Sequence, residues 1–219
     1  IPTSDVTGAT TIYYTPYIGN RIALYDGNKW DVYTFSEISL ALGTLTADKN
    51  YDVFLYNNAG TLTLELSAAW TSDTARADAI ARQDGIWVKS GTTTRKLLGT
   101  LRTTSTTATA DSNTQRFVIN IQNQVPRKFV KNEHSATTTW TYNSVTKRAW
   151  NNDTNNKVEF ICPLAEEFIC LVFYGYSASN TNGAVGIDID GSGTIVNDAS
   201  TNSVSGVVAG VGFLTHAKL

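Results

Sequence analysis

The stretch with the most motif-like spacing runs from Asp188 to Gly193. Asp188, Asp190 and Ser192 alternate before a glycine, as the first oxygen ligands of a calcium-binding loop do. However, Ala199 stands at the twelfth position, where such a loop closes with a bidentate glutamate. We interpret the stretch as a glycine-rich hairpin turn and keep Asp188, Asp190 and Ser192 as a calcium-loop candidate. We predict no metal site and no cofactor.

Paired carboxylates could serve glycoside hydrolysis, which uses one acid and one base or nucleophile. The candidates are Glu166, Glu167, Asp188 and Asp190. The two glutamates adjoin an apparent turn, where solvated charge is ordinary. Nothing in the spacing of the four residues separates an acid from a base, so the sequence nominates no catalytic pair.

Nucleophilic catalysis has no clear carrier either. His134 and His216 stand apart from each other, and the sequence contains no Gly-x-Ser-x-Gly elbow. Cys162 and Cys170 lie in apolar surroundings, which favours buried thiols, although a hairpin could bring them face to face. Whether they are bonded stays open. We predict no catalytic residue and expect that the chain is not an enzyme.

Aromatic side chains are the remaining candidates for function, because alternation places several of them opposite the predicted core face. Such rings could stack on sugars, pack against another subunit, or be covered by a second layer of the same chain. The residues proposed for glycan or subunit contact are Tyr13, Tyr17, Tyr25, Trp140 and Trp150, with Tyr14 as a further exposed ring.

Alternating apolar and polar residues predict that the first half is built of antiparallel β-hairpins. Asp26 and Gly27, residues 57–60, and Ser90 with Gly91 supply turns between such alternating runs. In each strand one face is apolar and the other mixed, which is typical of an antiparallel sheet with one wetter side.

Two segments of this half depart from the hairpin pattern. Ser72 or Asp73 could cap a short helix near residues 73–84, which Gly85 could end. Residues 103–114 are rich in threonine and nearly free of large apolar side chains. We predict that they form an exposed loop or hairpin tip outside the core.

The second half also reads as β-structure, and the sequence predicts two domains. Residues 1–125 are expected to form the hairpin domain with its short helix. Residues 126–219 are expected to form a β-sandwich or jelly-roll-like domain that is incomplete at its C-terminus. The fold class is therefore mainly β.

Composition and charge exclude some classes of partner. The formal net charge is -2, so the basic field that nucleic-acid binding requires is missing. No apolar run approaches the roughly 18 residues of a membrane helix, and we expect no membrane insertion. Because the chain begins with Ile1 and contains no methionine, we expect it to be a piece of a longer product.

The segment from Tyr14 to Trp30 carries the pattern Y-T-P-Y-x-G-N-R-I-x-L-Y-D-G-x-x-W. It resembles a module of structural proteins from tailed bacteriophages and prophages. The resemblance covers most of residues 12–170 and continues in residues 35–37, 51–54, 68–70, 82–91, 98–100, 125–127 and 157–160. It implies a β-rich virion protein of a tail fibre, tail tip or capsid-surface fibre, usually trimeric, and it carries over no active-site residue.

Three functions are thus open at the level of sequence. The first is a virion structural or attachment protein on the particle surface. It would assemble as a homotrimer with other virion proteins and contact host surface polysaccharide. The second is a tail-borne glycan depolymerase, which requires two carboxylates about 5 to 9.5 Å apart across a cleft. The third is a monomeric carbohydrate-binding module with an aromatic platform.

Overall fold

The computed structural model describes residues 4–123, 130–131, 146, 152–164, 169–177, 183–188, 195–201 and 206–214. Within these residues the chain forms eighteen β-strands and no α-helix, which confirms the mainly β class. None of the described segments is therefore a helix that could cross a membrane. The chain divides into two compact units, Ile1–Thr138 with Asp153–Pro163, and Thr139–Asn152 with Leu164–Lys218. The predicted boundary near residue 125 lies outside the described residues.

The first unit contains the strands β1 to β14. In chain order they are β1 Val6–Ala9, β2 Thr11–Tyr14, β3 Arg21–Tyr25, β4 Trp30–Thr34, β5 Ile38–Ala41, β6 Asn50–Asn58, β7 Thr61–Leu66, β8 Ile80–Gln83, β9 Ile86–Lys89, β10 Thr92–Arg102, β11 Thr109–Asp111, β12 Gln115–Arg116, β13 Val118–Asn120 and β14 Glu159–Phe160. Six of them form an antiparallel sheet in the order β7-β6-β10-β9-β8, with β13 paired to β10. Two separate ribbons, β2–β5 and β3–β4, pack on one face of this sheet.

The core of the unit lies between the six-stranded sheet and the two ribbons. Val53 and Leu55 project from β6 on one face of the sheet, and Ile22 and Leu24 project from β3 to meet them. Leu64 of β7 joins the same cluster, and Leu55 is fully buried. Because side chains alternate along a strand, these period-two residues share one face and fill the space between two layers.

The predicted hairpin turns are confirmed. Asp26 and Gly27 begin the turn that joins β3 to β4, and residues 57–60 join β6 to β7. Ser90 and Gly91 lie at the turn between β9 and β10. At the first of these turns the Asp26 Oδ1 accepts hydrogen bonds from the backbone N–H groups of Asn28 and Lys29, at 2.7 and 2.8 Å. The turn residues and the alternation of the flanking strands therefore both predict the hairpins that the structure shows.

The exposed loop or hairpin tip predicted at residues 103–114 is confirmed only for the exposed tip at 105–107, and the prediction is wrong for the residues on either side of it. Thr103, Thr109 and Ala110 are buried, and β11 pairs with β1 in a second, four-stranded sheet that also contains β12 and β14. The buried Thr103 hydroxyl donates to the carbonyl of Thr46 at 2.7 Å and accepts from the Lys49 N–H at 3.0 Å. Threonine can be buried here because its hydroxyl finds partners in the backbone.

The short helix predicted near residues 73–84 is absent, since the described chain forms a tight turn at 72–75 and then enters β8. Tertiary contacts of its polar side chains decide the conformation. Asp73 pairs with Arg102 at 2.8 Å, and the Asp78 carboxylate accepts the Ala68 N–H and binds Lys89. These bonds lay the segment across the sheet face opposite the ribbons. The Ser, Thr and Asp residues of this segment have weak helix propensity, so they do not favour a helix over the observed conformation.

The buried carboxylate of Asp52 ties this segment to the sheet. Its Oδ2 accepts hydrogen bonds from Trp70 Nε1 at 3.1 Å and from Arg76 Nε at 2.8 Å. Its Oδ1 accepts from the Thr100 hydroxyl at 2.7 Å and from Arg76 Nη2 at 3.3 Å. The Arg76 guanidinium lies 4.3 Å from the Trp70 ring and also donates to the Pro163 carbonyl. One carboxylate thus joins two strands and the crossing segment, and Arg76 extends the network to the segment that follows β14.

The second unit contains β15 Ile169–Ser177, β16 Gly183–Asp188, β17 Ile195–Thr201 and β18 Gly206–Leu214. β15 pairs with β18, and β16 pairs with β17, both in antiparallel fashion. The β16–β17 hairpin therefore lies, in sequence, between the two strands of the outer pair. The predicted antiparallel β-structure of the second half is confirmed, and a jelly-roll order of its strands stays a prediction.

Replacing Asp52 with alanine should lower the free energy of unfolding by about 3–5 kcal/mol, because the partly buried Arg76 loses its counter-charge. Urea unfolding followed by tryptophan fluorescence measures the change. Asp73→Ala is the matched control, since its side chain is 70% exposed and its ion pair with Arg102 should contribute less than about 1 kcal/mol. Equal, small losses in both variants would contradict the assigned role of Asp52.

Candidate functional site

The described residues contain no group of three His, Cys, Asp or Glu side chains that could hold a metal ion. Asp188 ends β16. The other residues considered for metal binding, catalysis or aromatic contact lie outside the described residues: Asp190, Ser192, Glu166, Glu167, His134, His216, Trp140 and Trp150. The candidate site is therefore sought among the side chains of the first unit.

The outward side of the two ribbons exposes large apolar side chains. Tyr13 of β2 is 63% exposed and Val32 of β4 is 66% exposed. In the loop that joins the ribbons, Tyr17 is 71% and Ile18 is 93% exposed. We call these four residues the ribbon surface. Tyr13 and Tyr17 were predicted to be exposed from the sequence, whereas Ile18 and Val32 were missed.

The sequence offers a signal for both missed residues. Val32 pairs with Ala23, and both alternate with core residues on their strands, so both belong to the outward face. Ile18 lies in a loop that contains Pro16 and Gly19, and such turn residues favour a position at the surface. An apolar side chain by itself favours burial, but the position of Val32 in the strand alternation places it on the outward face.

Two other tyrosines of the aromatic set are partly covered by neighbouring rings. Tyr14 stacks on Phe35 with ring centroids 5.0 Å apart, and burial raises the pKa of its hydroxyl. Tyr25 lies against Trp30 at 5.5 Å. The indole of Trp30 donates to the Asp84 carboxylate at 2.9 Å. These ring contacts lie at the ends of the ribbons, and they leave Tyr14 and Tyr25 less accessible to a partner than Tyr13 and Tyr17.

On the opposite face of the six-stranded sheet, cationic side chains cover the aromatic rings. Each of four rings has an arginine or lysine over it, and the pairs are Trp70 with Arg76, Trp87 with Arg82, Phe54 with Lys89 and Tyr56 with Arg95. Glu65 and Asp78 bind two of these cations in turn. Aromatic surface on this face is thus already in contact within the chain, unlike that of the ribbon surface.

A cleft of about 370 Å³ opens where the β3–β4 ribbon meets the end of the six-stranded sheet. Its lining comprises Leu24, Tyr25, Asp26, Tyr33, Asn57, Thr94 and Arg95. The Asn57 amide donates to the Tyr33 hydroxyl at 3.2 Å across the cleft. Tyr25, predicted as a contact residue, therefore lies at a concave site and not on the ribbon surface.

A second cleft, of about 150 Å³, lies beside β12 and β14 and is lined by Thr114, Gln115, Lys131, Asn155, Lys157 and Glu159. Its charges pair with each other, since Lys157 binds Glu159 at 2.8 Å. The Gln115 amide donates to the other oxygen of the same carboxylate at 2.9 Å. These bonds lower the pKa of Glu159 although its partial burial acts in the opposite direction. The arrangement stabilises the pairing of β12 with β14.

Comparisons with protein-family models, with curated proteins and with solved structures give no match. The resemblance carried by residues 14–30 therefore stays a prediction.

A buried lysine lies two residues beyond Thr94 on β10. Lys96 is 8% exposed, and its ammonium donates to the carbonyl of Ala23 on β3 at 3.2 Å. The bond connects the ribbon to the sheet behind the cleft. Burial lowers the pKa of Lys96 because the charged form loses hydration.

The lowered pKa predicts that wild-type protein gains stability relative to Lys96→Met as the pH rises. The unfolded lysine keeps its proton up to about pH 10.4, whereas the folded lysine releases it earlier. The gain should therefore begin at the folded-state pKa and end near pH 10.4. Chemical unfolding at a series of pH values measures the difference.

Lys29→Met is the control for this pH series. The Lys29 ammonium is exposed, and its hydrogen bond and ion pair with Asp31 raise its pKa. Wild-type protein should therefore lose a little stability relative to Lys29→Met as the pH rises, which is the opposite of the trend for Lys96. If the difference in the free energy of unfolding between wild type and Lys96→Met did not change with pH up to about 10.4, the burial of a charged amine would be contradicted.

Proposed function

We propose that the chain is a structural subunit of a bacteriophage particle, in a tail fibre, tail tip or capsid-surface fibre. It assembles with copies of itself through the ribbon surface. The observation that carries the proposal is the exposure of Tyr13, Tyr17, Ile18 and Val32 on the outward side of the ribbons.

Exposure of these side chains favours a covering partner on energetic grounds. Full burial of a valine or isoleucine side chain contributes about 1.5–3 kcal/mol, and tyrosine adds apolar area with a polar end. Scattered single apolar residues are normal on monomers. Here two adjacent loop residues and one outward residue from each of the two ribbons that the loop joins are exposed together, which favours an interaction surface.

The position of these residues supports the proposed family. The segment from Tyr14 to Trp30, which resembles the phage module, folds into the end of β2, the joining loop, β3 and the start of β4. Tyr17 and Ile18 lie inside it. A closed ring of identical subunits covers such a surface with a symmetry mate, and the resemblance favours three copies.

A glycan depolymerase is the alternative enzyme function, and it lacks a supporting observation in the part of the chain that the structure describes. The larger cleft contains one carboxylate, Asp26, and the smaller one contains only Glu159. Glycoside hydrolysis requires two carboxylates that face each other across the substrate. The assembly function is therefore the better supported of the two.

Substituting Ile18 with aspartate should dissociate the oligomer, since a charge cannot be buried in an apolar contact without a partner. Light scattering coupled to size-exclusion chromatography should give a trimer for wild type and a monomer for Ile18→Asp, at the same concentration. Tyr17→Asp should act in the same direction.

Asn58→Asp is the matched control for this experiment. Asn58 is exposed at the β6–β7 turn, so the same carboxylate is introduced outside the ribbon surface. Its oligomer should remain intact. A monomeric wild-type protein, or an Asn58→Asp variant that dissociates as fully as Ile18→Asp, would rule out assembly through the ribbon surface.

A further inference from the structure

The larger cleft lies between two layers of the first unit, at the end where the core opens to solvent. Strand alternation places Leu24 and Tyr33 on the inner side of the β3–β4 ribbon, and the exposed turn residue Asp26 stands at the opening of the cleft. Asn57 and Thr94 line the cleft from the sheet. Leu24 is 2% exposed and marks the apolar base, while the polar groups stand around the opening.

Each polar group of the cleft keeps hydrogen-bonding capacity after its internal contacts are counted. The Asp26 Oδ1 accepts two backbone N–H groups, and the carboxylate as a whole is exposed to solvent at the opening of the cleft. The Tyr33 hydroxyl accepts from Asn57 and can still donate its own proton. The Thr94 hydroxyl accepts from Arg95 Nη1 and likewise can donate.

The charges around the cleft argue against a charged ligand. Asp26 is held ionised because the two N–H groups lower its pKa, so an anion is repelled. The Arg95 guanidinium is engaged with Glu65 at 3.1 Å and stacks on Tyr56, which leaves it little free charge to offer an anion. A cation would find one carboxylate only. The balance fits a neutral ligand with several hydroxyl groups.

We infer that this cleft binds a neutral sugar unit, with hydroxyl groups bonded to Asp26, Tyr33, Asn57 and Thr94 and carbon–hydrogen faces against the rings of Tyr25 and Tyr33. Its volume of about 370 Å³ is at the lower end of the 300–1,000 Å³ of small-molecule sites. The site uses none of the ribbon-surface residues, so binding and assembly are separable.

Saturation-transfer NMR and titration calorimetry with glucose, galactose, mannose and N-acetylglucosamine test the inference, with glucuronate as the anionic comparison. At least one neutral sugar should bind, and more tightly than glucuronate. Tyr33→Phe keeps the ring and removes the hydroxyl, and should weaken binding about three- to tenfold. Asn57→Asp keeps the oxygen that accepts the Gly60 N–H and should weaken binding as well.

Tyr13→Phe is the matched control, because it removes an exposed tyrosine hydroxyl outside the cleft and should leave the affinity unchanged. Thermal melting confirms that each variant is folded. Failure of all four neutral sugars to bind, preference for glucuronate, or equal affinity of wild type, Tyr33→Phe and Asn57→Asp would each overturn the inference. Light scattering on the same samples reports assembly separately, so failure of one proposal leaves the other standing.

Discussion

The buried carboxylate of Asp52 is the constraint on which the first unit depends. It lies at the centre of the sheet on the face away from the ribbons and accepts bonds from Trp70, Arg76 and Thr100. A buried charge is tolerated only where its partners surround it, so the segment that supplies Trp70 and Arg76 has to cross the sheet. That crossing segment covers one face of the sheet and leaves the other to the ribbons.

The two faces of the sheet then lead to different properties of the molecular surface. On the Asp52 face, cations cover the rings and carboxylates bind the cations, so polar and aromatic groups are largely used within the chain. On the other face, two short ribbons close the core, and among the described residues Tyr13 and Val32 on their outward sides stay largely exposed. The proposed association of copies would cover these side chains.

Strand alternation and turn chemistry were sufficient to predict much of the fold. The β3–β4 and β6–β7 hairpins follow from period-two patterns and from Asp26-Gly27 and residues 57–60, because both signals are local. The helix predicted near residues 73–84 is absent, and Thr103 and residues 108–112 are buried, because of distant partners such as Asp52 for Arg76 and Thr46 for Thr103. The cleft was not predicted, and of its lining only Tyr25 was named as a contact residue, since Asn57 and Thr94 join it by packing of distant strands.

The proposed interface between copies of the chain lies on the outward side of the ribbons. Hydrogen–deuterium exchange at low and high protein concentration measures directly whether this side is covered. Peptides covering residues 11–18 and 30–34 should become more protected at high concentration, while peptides from the buried β6 should not change. Identical exchange of the ribbon peptides at both concentrations would contradict this interface.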